Sequence, residues 1–575
     1  ATAYYDRDFR QTYNAVLNYN ETFFRDHHVE VMLGMEYYNK YKRGFEAKGQ
    51  GAPTDDLPDL SLTDKGEGKR TINSWHEKQR ILSFFGRLNY DFKDKYLLSF
   101  VFRRDGYSSL LGDNRWGFFP GVSAGWIFGR EDFIKDAIPV MSFGKLRASY
   151  GINGNASGIG AYTLQGSYGS SNSSGSFNYN GNTSYLITEL PNPNLRWEKT
   201  ATFEVGADMS FFANRLNTNL TYYNRLTSDK YAALSFPTST GFSSVTNNNG
   251  EFRNQGIEIE LSGKIIDNKD WTWSASGNIA FNKNKIVSLP DNGMERNRIN
   301  AFQVYTGNGD EKKWVGGQQE GQEPGMLYLY QADGIYRSYD EIPGNLVRKY
   351  GSRTYYGPEA WNKLTADQQN ATTNFPIQPG DTKFHDVNKD GVIDEFDKVK
   401  VGATSPRWTG GFNTTLRWKN FQLYGRFDYA LGFWLYENSG SQSTTPWFMG
   451  CYQGTYNTPT MYYDTWSESN PNAKYPRYLF ADQNGKNNYI ASTMFAYRGD
   501  YLAIREISLS YSLPESVAKM LKMQRAEVSI TGQNLGYITG AKNVGSPEAN
   551  PKDNGAVGQG YSLPRTILFG VNLTF

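Results

Sequence analysis

The chain has 575 residues, with 60 Lys and Arg against 58 Asp and Glu. A net charge of +2 leaves no basic excess for a nucleic-acid surface. Mean hydropathy is −0.64 and no apolar run approaches the roughly 18 residues of a helical span, which excludes helical membrane insertion but not a barrel. Cys451 is alone, so no internal disulfide can form. Ala1-Thr2-Ala3-Tyr4-Tyr5 carries no basic and apolar signal region, and a mature or truncated start is expected. No composition break marks a domain boundary, so one large unit is the simpler account.

In chain order, strand periodicity predicts about fifteen strands. Phe9 to Asn20 and His28 to Tyr38 come first, then Arg80 to Phe92, which turns at Lys93-Asp94 into Tyr96 to Arg104. Trp116 to Phe128 and Phe143 to Gly151 follow. In Thr202 to Phe212, Phe203, Val205, Ala207, Met209 and Phe211 oppose Thr202, Glu204, Gly206, Asp208 and Ser210. Successive strand side chains point to opposite faces, so this strand has one apolar and one polar side. An Ala213-Asn214 turn leads into Leu216 to Asn224. Gln255 to Gly263 and Trp271 to Phe281 come next, then Arg407 to Trp418 and Phe421 to Leu431, joined across Lys419-Asn420. Tyr501 to Ser512 and Arg525 to Gln533 precede the final strand, where Ile567, Phe569, Val571, Leu573 and Phe575 share one face.

The connections alternate. Residues 39–79, 105–115, 152–201, 225–254, 282–406, 432–500 and 535–563 fall on one side; the other side carries mostly tight turns at 21–27, 93–94, 129–142, 213–214, 264–270, 419–420 and 513–524. Long outer loops against short periplasmic turns is the pattern of a bacterial outer-membrane barrel. Aromatic residues make 15% of the chain, as interfacial girdles at strand ends require. The fold class read from the residues is therefore all-β, a transmembrane antiparallel β-barrel. An aromatic-rich carbohydrate-binding sandwich could share the composition but has no reason to keep the loop alternation.

A set of local motifs carries a family resemblance. They are Phe84-Phe85-Gly86-Arg87-Leu88-Asn89-Tyr90, Phe102-Arg103-Arg104-Asp105-Gly106, Arg115-Trp116-Gly117-Phe118-Phe119-Pro120 and Lys145-Leu146-Arg147-Ala148-Ser149-Tyr150-Gly151. Further along stand Asn192-Pro193-Asn194-Leu195-Arg196-Trp197-Glu198, Asn254-Gln255-Gly256-Ile257-Glu258, Pro379-Gly380-Asp381, Gln533-Asn534-Leu535 and the terminal strand. On these the chain resembles the carboxy-terminal part of a SusC/RagA-like TonB-dependent outer-membrane transporter of Bacteroidetes. The resemblance implies a plugged barrel of about 22 strands, of which residues 1–575 would form the carboxy-terminal part. It implies an amino-terminal plug-bearing portion as partner, a SusD-like surface lipoprotein as lid, coupling to the TonB complex, and a dimer of such pairs. It further implies import of an oligosaccharide or an oligopeptide and no enzymatic activity. An adhesion barrel or a passive pore without TonB coupling is the alternative.

One constellation carries site chemistry. Asp386-Val387-Asn388-Lys389-Asp390-Gly391-Val392-Ile393-Asp394-Glu395-Phe396-Asp397, within 379–400, fits the spacing of an EF-type calcium loop. Asp386, Asn388, Asp390 and Asp394 supply oxygens at positions one, three, five and nine, Val392 a carbonyl at seven, and Asp397 a carboxylate at twelve where Glu is usual. Hard cations need several oxygens converging on one point, and Gly391 permits the turn; Ca²⁺ here would stiffen an outer loop. A solvated Asx-turn loop that binds nothing has the same appearance.

Enzyme motifs fail. Gly121-Val122-Ser123-Ala124-Gly125 matches G-x-S-x-G but lies within a predicted strand with no helix following. His27 and His28 are adjacent and point to opposite strand faces, and His385 reads as a loop hydrogen-bonding group. In loops 152–201 and 432–500, Tyr162, Tyr168, Tyr179, Trp447, Tyr452, Tyr456, Tyr462 and Tyr463 are candidates for stacking on sugars or clasping peptide.

Overall fold

The computed structural model describes the chain apart from residues 55, 57–58, 67, 170–184, 437–463, 478–489, 542–545 and 549–562. Fifteen long strands hydrogen-bond in chain order into one large antiparallel sheet. They are β1 (Thr2–Phe23), β2 (His27–Gly49), β3 (Arg70–Phe92), β4 (Tyr96–Tyr107), β5 (Trp116–Trp126), β6 (Met141–Asn155), β7 (Glu198–Phe211) and β8 (Leu216–Ser235). The series continues with β9 (Ser244–Asp267), β10 (Trp271–Ser288), β11 (Trp408–Trp418), β12 (Phe421–Leu431), β13 (Tyr501–Ser512), β14 (Arg525–Thr539) and β15 (Thr566–Thr574). Each predicted strand has its counterpart. The Lys93-Asp94 turn has positive φ at both residues, 56° and 49°, the conformation whose twist matches a tight hairpin.

Strand lengths depart from the reading. β2 and β3 have 23 residues each, where about 10 cross a membrane. Much of the predicted loop 225–254 is strand, with only 236–243 between β8 and β9. Beyond the lipid both faces of a strand meet water, so the polar and apolar alternation that reveals a strand disappears there.

By contacts the chain falls into two compact units. The first holds Ala1–Ala213, Leu220–Gln255 and Val287–Asn297. Its outer connections carry a small core in which Leu110, Ile159, Leu164, Leu195, Trp197 and Phe119 pack together. The second holds Asn214–Asn219, Gly256–Ile286 and Arg298–Phe575. Here the predicted loop 282–406 proves to contain a folded insert. A four-stranded sheet joins Asn374–Pro376, Arg353–Tyr356, Val347–Tyr350 and Val392–Ile393 in that order, two of the three pairings being parallel. Tyr330, Tyr336, Ile342, Tyr355, Phe384 and Ile393 form its core.

On the long sheet many apolar residues share the outward face and stand partly to largely accessible. Leu17, Leu33, Leu88, Phe100, Val122, Tyr150, Phe203, Leu423, Leu509, Ile530 and Phe569 are all exposed, and many are direct cross-strand partners. An exposed apolar surface of this extent has no place in water and marks the face that meets lipid.

Candidate functional site

Asp386–Asp397 lies between the short strands Thr382–Phe384 and Lys398–Ala403, so strands, not helices, flank the loop. Its carboxylates are each held by the loop's own amides. Asp386 accepts from the Lys389 and Gly391 N–H groups at 2.7 and 2.8 Å, Asp390 from Val392 at 2.7 Å, and Asp394 from Phe396 at 2.9 Å. Asp397, fully buried, accepts from Val387 at 2.8 Å and from Asp394 at 2.7 Å. The left-handed φ of Gly391, 81°, carries the chain through the turn. Val392 stands in the two-residue strand paired with Val347.

Asn388 donates to Asp310 and Asp390, both at 2.9 Å, and leaves its shielded Oδ1 without a partner. Burial pushes Asp397 up to about 6 despite those two amides, and Asp394 and Asp386 add to the rise. Tyr305, packed on Phe396, is pushed up to about 12 by burial and by Asp394, Asp390 and Asp397. Among the described residues no three His, Cys, Asp or Glu side chains stand in a ready metal-holding group. The residues nonetheless fit a hard cation in kind. Every donor is oxygen, each carboxylate oxygen keeps a lone pair beyond its amide, and the Asn388 Oδ1 is an acceptor still to be satisfied.

Next to the loop, the Pro379-Gly380-Asp381 motif anchors a distant segment. Asp381, with no exposed surface, accepts from Arg477 Nε at 2.6 Å, and the Arg477 N–H donates to Gly380 O at 2.7 Å. Gly380 has φ 87°, and a Cβ there would stand 2.4 Å from the Trp466 ring. The glycine is required both by its conformation and by the close approach of the indole. Nothing in the sequence marks Arg477 as the partner, 96 positions away.

In the first unit, Asn192–Glu198 closes the outer end of the wall. Trp197 Nε1 donates to Arg115 O at 3.0 Å, Arg196 pairs with Asp229 at 2.6 Å, and buried Glu198 accepts from Tyr231 N and Asn155 Nδ2, both at 2.8 Å. The inner face of β2 to β7 lines a recess of about 580 Å³ that includes Asp91, Ser123, Lys145, Arg147 and Glu204. Charges on that face are matched: Glu30 meets Arg87 and Asn89, and Arg103 meets Glu36 and Asp105. Ser123 stands mid-strand between Ser99 and Ser149, a polar wall residue.

His27 hydrogen-bonds Tyr90 and His28 hydrogen-bonds Thr22, each on its own face, and His385 hydrogen-bonds Asp333 at 3.0 Å. Tyr162 and Tyr168 are exposed. Tyr179, Trp447, Tyr452, Tyr456, Tyr462, Tyr463 and Cys451 lie outside the described residues.

A sheet with an apolar outer face and a charged, recessed inner face is the wall of a transmembrane β-barrel of the bacterial outer membrane. The TonB dependent receptor-like β-barrel family matches residues 1–356, and the chain belongs to that family. It is 29% identical to TonB-dependent receptor P3 of Formosa agariphila, over 99% of this chain and 53% of that protein. It is 28% identical to TonB-dependent receptor SusC of Bacteroides thetaiotaomicron, over 95% of this chain and 48% of that protein. The solved RagAB peptide transporter superposes with a TM-score of 0.73 at 23% identity, over 100% of this chain and 56% of its own. The chain thus spans about half the length of the curated relatives it matches.

Proposed function

We propose that the protein imports an oligomeric nutrient, an oligosaccharide or an oligopeptide, across the outer membrane. An amino-terminal portion fills the barrel as a plug, the TonB complex supplies the energy, and a SusD-like lipoprotein closes over the outer loops as a lid, in a dimer of such pairs. The observation that carries the reading is the match to SusC along nearly the whole chain, strand wall and outer insert included. The likeness to a peptide transporter keeps peptides beside glycans as cargo. A polar lumen wall fits either, since both cargoes are rich in hydrogen-bonding groups. The test is uptake of labelled oligosaccharides and oligopeptides by cells with and without the full-length protein, together with mass spectrometry of solutes released from it on denaturation. Loss of uptake on deletion supports import. Unchanged uptake of every oligomer, with no released solute, overturns it.

Asp386, Asn388, Asp390, Val392, Asp394 and Asp397 would hold a structural Ca²⁺ that rigidifies the insert, supported by the oxygen-only donor set and the unsatisfied Asn388 Oδ1. Terbium luminescence on the purified protein, displaced by Ca²⁺ and lost in Asp390→Ala, is the expected result; a signal unaffected by the substitution rejects the site.

A further inference from the structure

Cross-strand partners share a face, so the outer surface of β1 to β4 can be read row by row from the periplasmic turn outward. Phe23, His27 and Phe92 form one row, and Leu17 with Leu33, then Tyr13 with Tyr37 and Leu82, form rows above it. From Tyr13 to Phe23 the strand covers about 33 Å, or about 25 Å of height at a tilt near 40°, the thickness of the apolar band.

At its outer rim the character of this face changes at once. Arg80 shares a row with Asn39 and Gln11, Lys78 with Tyr41 and Phe9, and Arg7 lies directly across from Arg43, which lies across from His76. Arg104 shares a row with Phe84, just inside the rim, with its guanidinium 5.1 Å from the Trp116 ring. No Asp or Glu stands on this face from the Tyr13 row to the Ala3 row, and among the described residues none of the five Lys and Arg has a carboxylate partner.

The opposite face of the same strands behaves differently. There Lys42 pairs with Asp6 at 3.2 Å, Lys40 with Glu77 at 3.4 Å, and Arg10 with Asp8 at 2.6 Å. Like charges directly opposite on a sheet repel, so the Arg7 and Arg43 pair calls for an external anion. Its position says which. An anion reached from the rim of the apolar band, among Phe9, Tyr13, Tyr37 and Tyr41, belongs to a molecule whose tails lie in that band.

We propose that this rim is a binding site for a phosphorylated lipid of the outer leaflet, with Arg43, Arg7 and Lys78 on the headgroup phosphate, Arg80 and Arg104 flanking, and the acyl chains along Tyr13, Leu17 and Leu33. A guanidinium pair meets phosphate through paired N–H groups, and long basic side chains reach out from an apolar face to the headgroup level. A protein partner with an acidic loop would also answer the charge, but not the continuity with the lipid face.

The full-length protein, purified from outer membranes in mild detergent, tests this by native mass spectrometry against added lipid A and its dephosphorylated form. Wild-type protein should retain phosphorylated lipid, and the double variant Arg43→Gln, Lys78→Gln should bind it about 30-fold more weakly, about 5-fold for each cation lost. Lys42→Gln, on the opposite face, should bind as wild type, and heat-modifiable migration on a gel confirms that each variant is folded. Equal retention by the double variant, equal retention of dephosphorylated lipid, protection by inorganic phosphate alone, or an acidic protein lost in place of lipid would each overturn the assignment.

Discussion

Asp397 is the residue at which the two states of the outer loop diverge. Its folded pKa is raised to about 6 from an ordinary 3.8, by burial first, so the folded loop keeps a proton that the unfolded segment has lost. That contribution to stability is complete below about pH 4 and disappears as pH rises through about 6. Ca²⁺ requires the ionised form, so calcium affinity should rise over the same window, with a proton released on binding, measurable by calorimetry in two buffers. Asp397→Asn should lower affinity about tenfold or more and remove that pH dependence. Asp381 makes a separate case. Asp381→Ala removes the carboxylate from the half-buried Arg477, which keeps only its bond to Gln378, and costs about 1–3 kcal/mol locally, read as faster proteolysis of 464–477. Gly380→Ala should do the same through strain and the Trp466 clash. The motif itself was legible; what it holds was not, because a carboxylate records nothing about a cation brought to it by the fold.

The strands are where sequence and structure agree most closely, since lipid imposes one apolar face and the lumen one polar face on each strand. Leu509 on β13 pairs with Leu423 and Ile530, three apolar partners abreast on the outer face. Leu509→Lys should destabilise the barrel by about 2–4 kcal/mol in lipid, while Ser510→Lys, one residue along and facing the lumen, should cost far less. Urea unfolding in vesicles, followed by heat-modifiable migration, separates the two. Where the strands leave the membrane the constraint is lifted, and the outer halves of β2, β3, β8 and β9 escaped the pattern. The insert escaped for a related reason. Its strands are only two to six residues long and its parallel pairings join distant positions, so periodicity had no window in which to act.

For the whole molecule, the consequence of the proposed import is a dependence on energy. Cells lacking a functional TonB complex should lose uptake of the oligomeric solute while keeping normal levels of the folded barrel, checked by transport assay beside an immunoblot; uptake that persists would indicate a passive pore. The sequence by itself determined the all-β class, the fifteen strands, their inward and outward faces and the two kinds of connection, because a strand in lipid writes its environment into every second residue. It also marked the oxygen-rich loop, whose spacing is local. Only the tertiary structure decided that 282–406 contains a folded insert, that Asp381 receives Arg477, that Asn192–Glu198 closes an outer core, and that unpaired cations gather at the membrane rim of β1 to β4. Those features depend on which distant residues become neighbours, and register between strands is set by hydrogen bonding along the sheet rather than by any single stretch of chain.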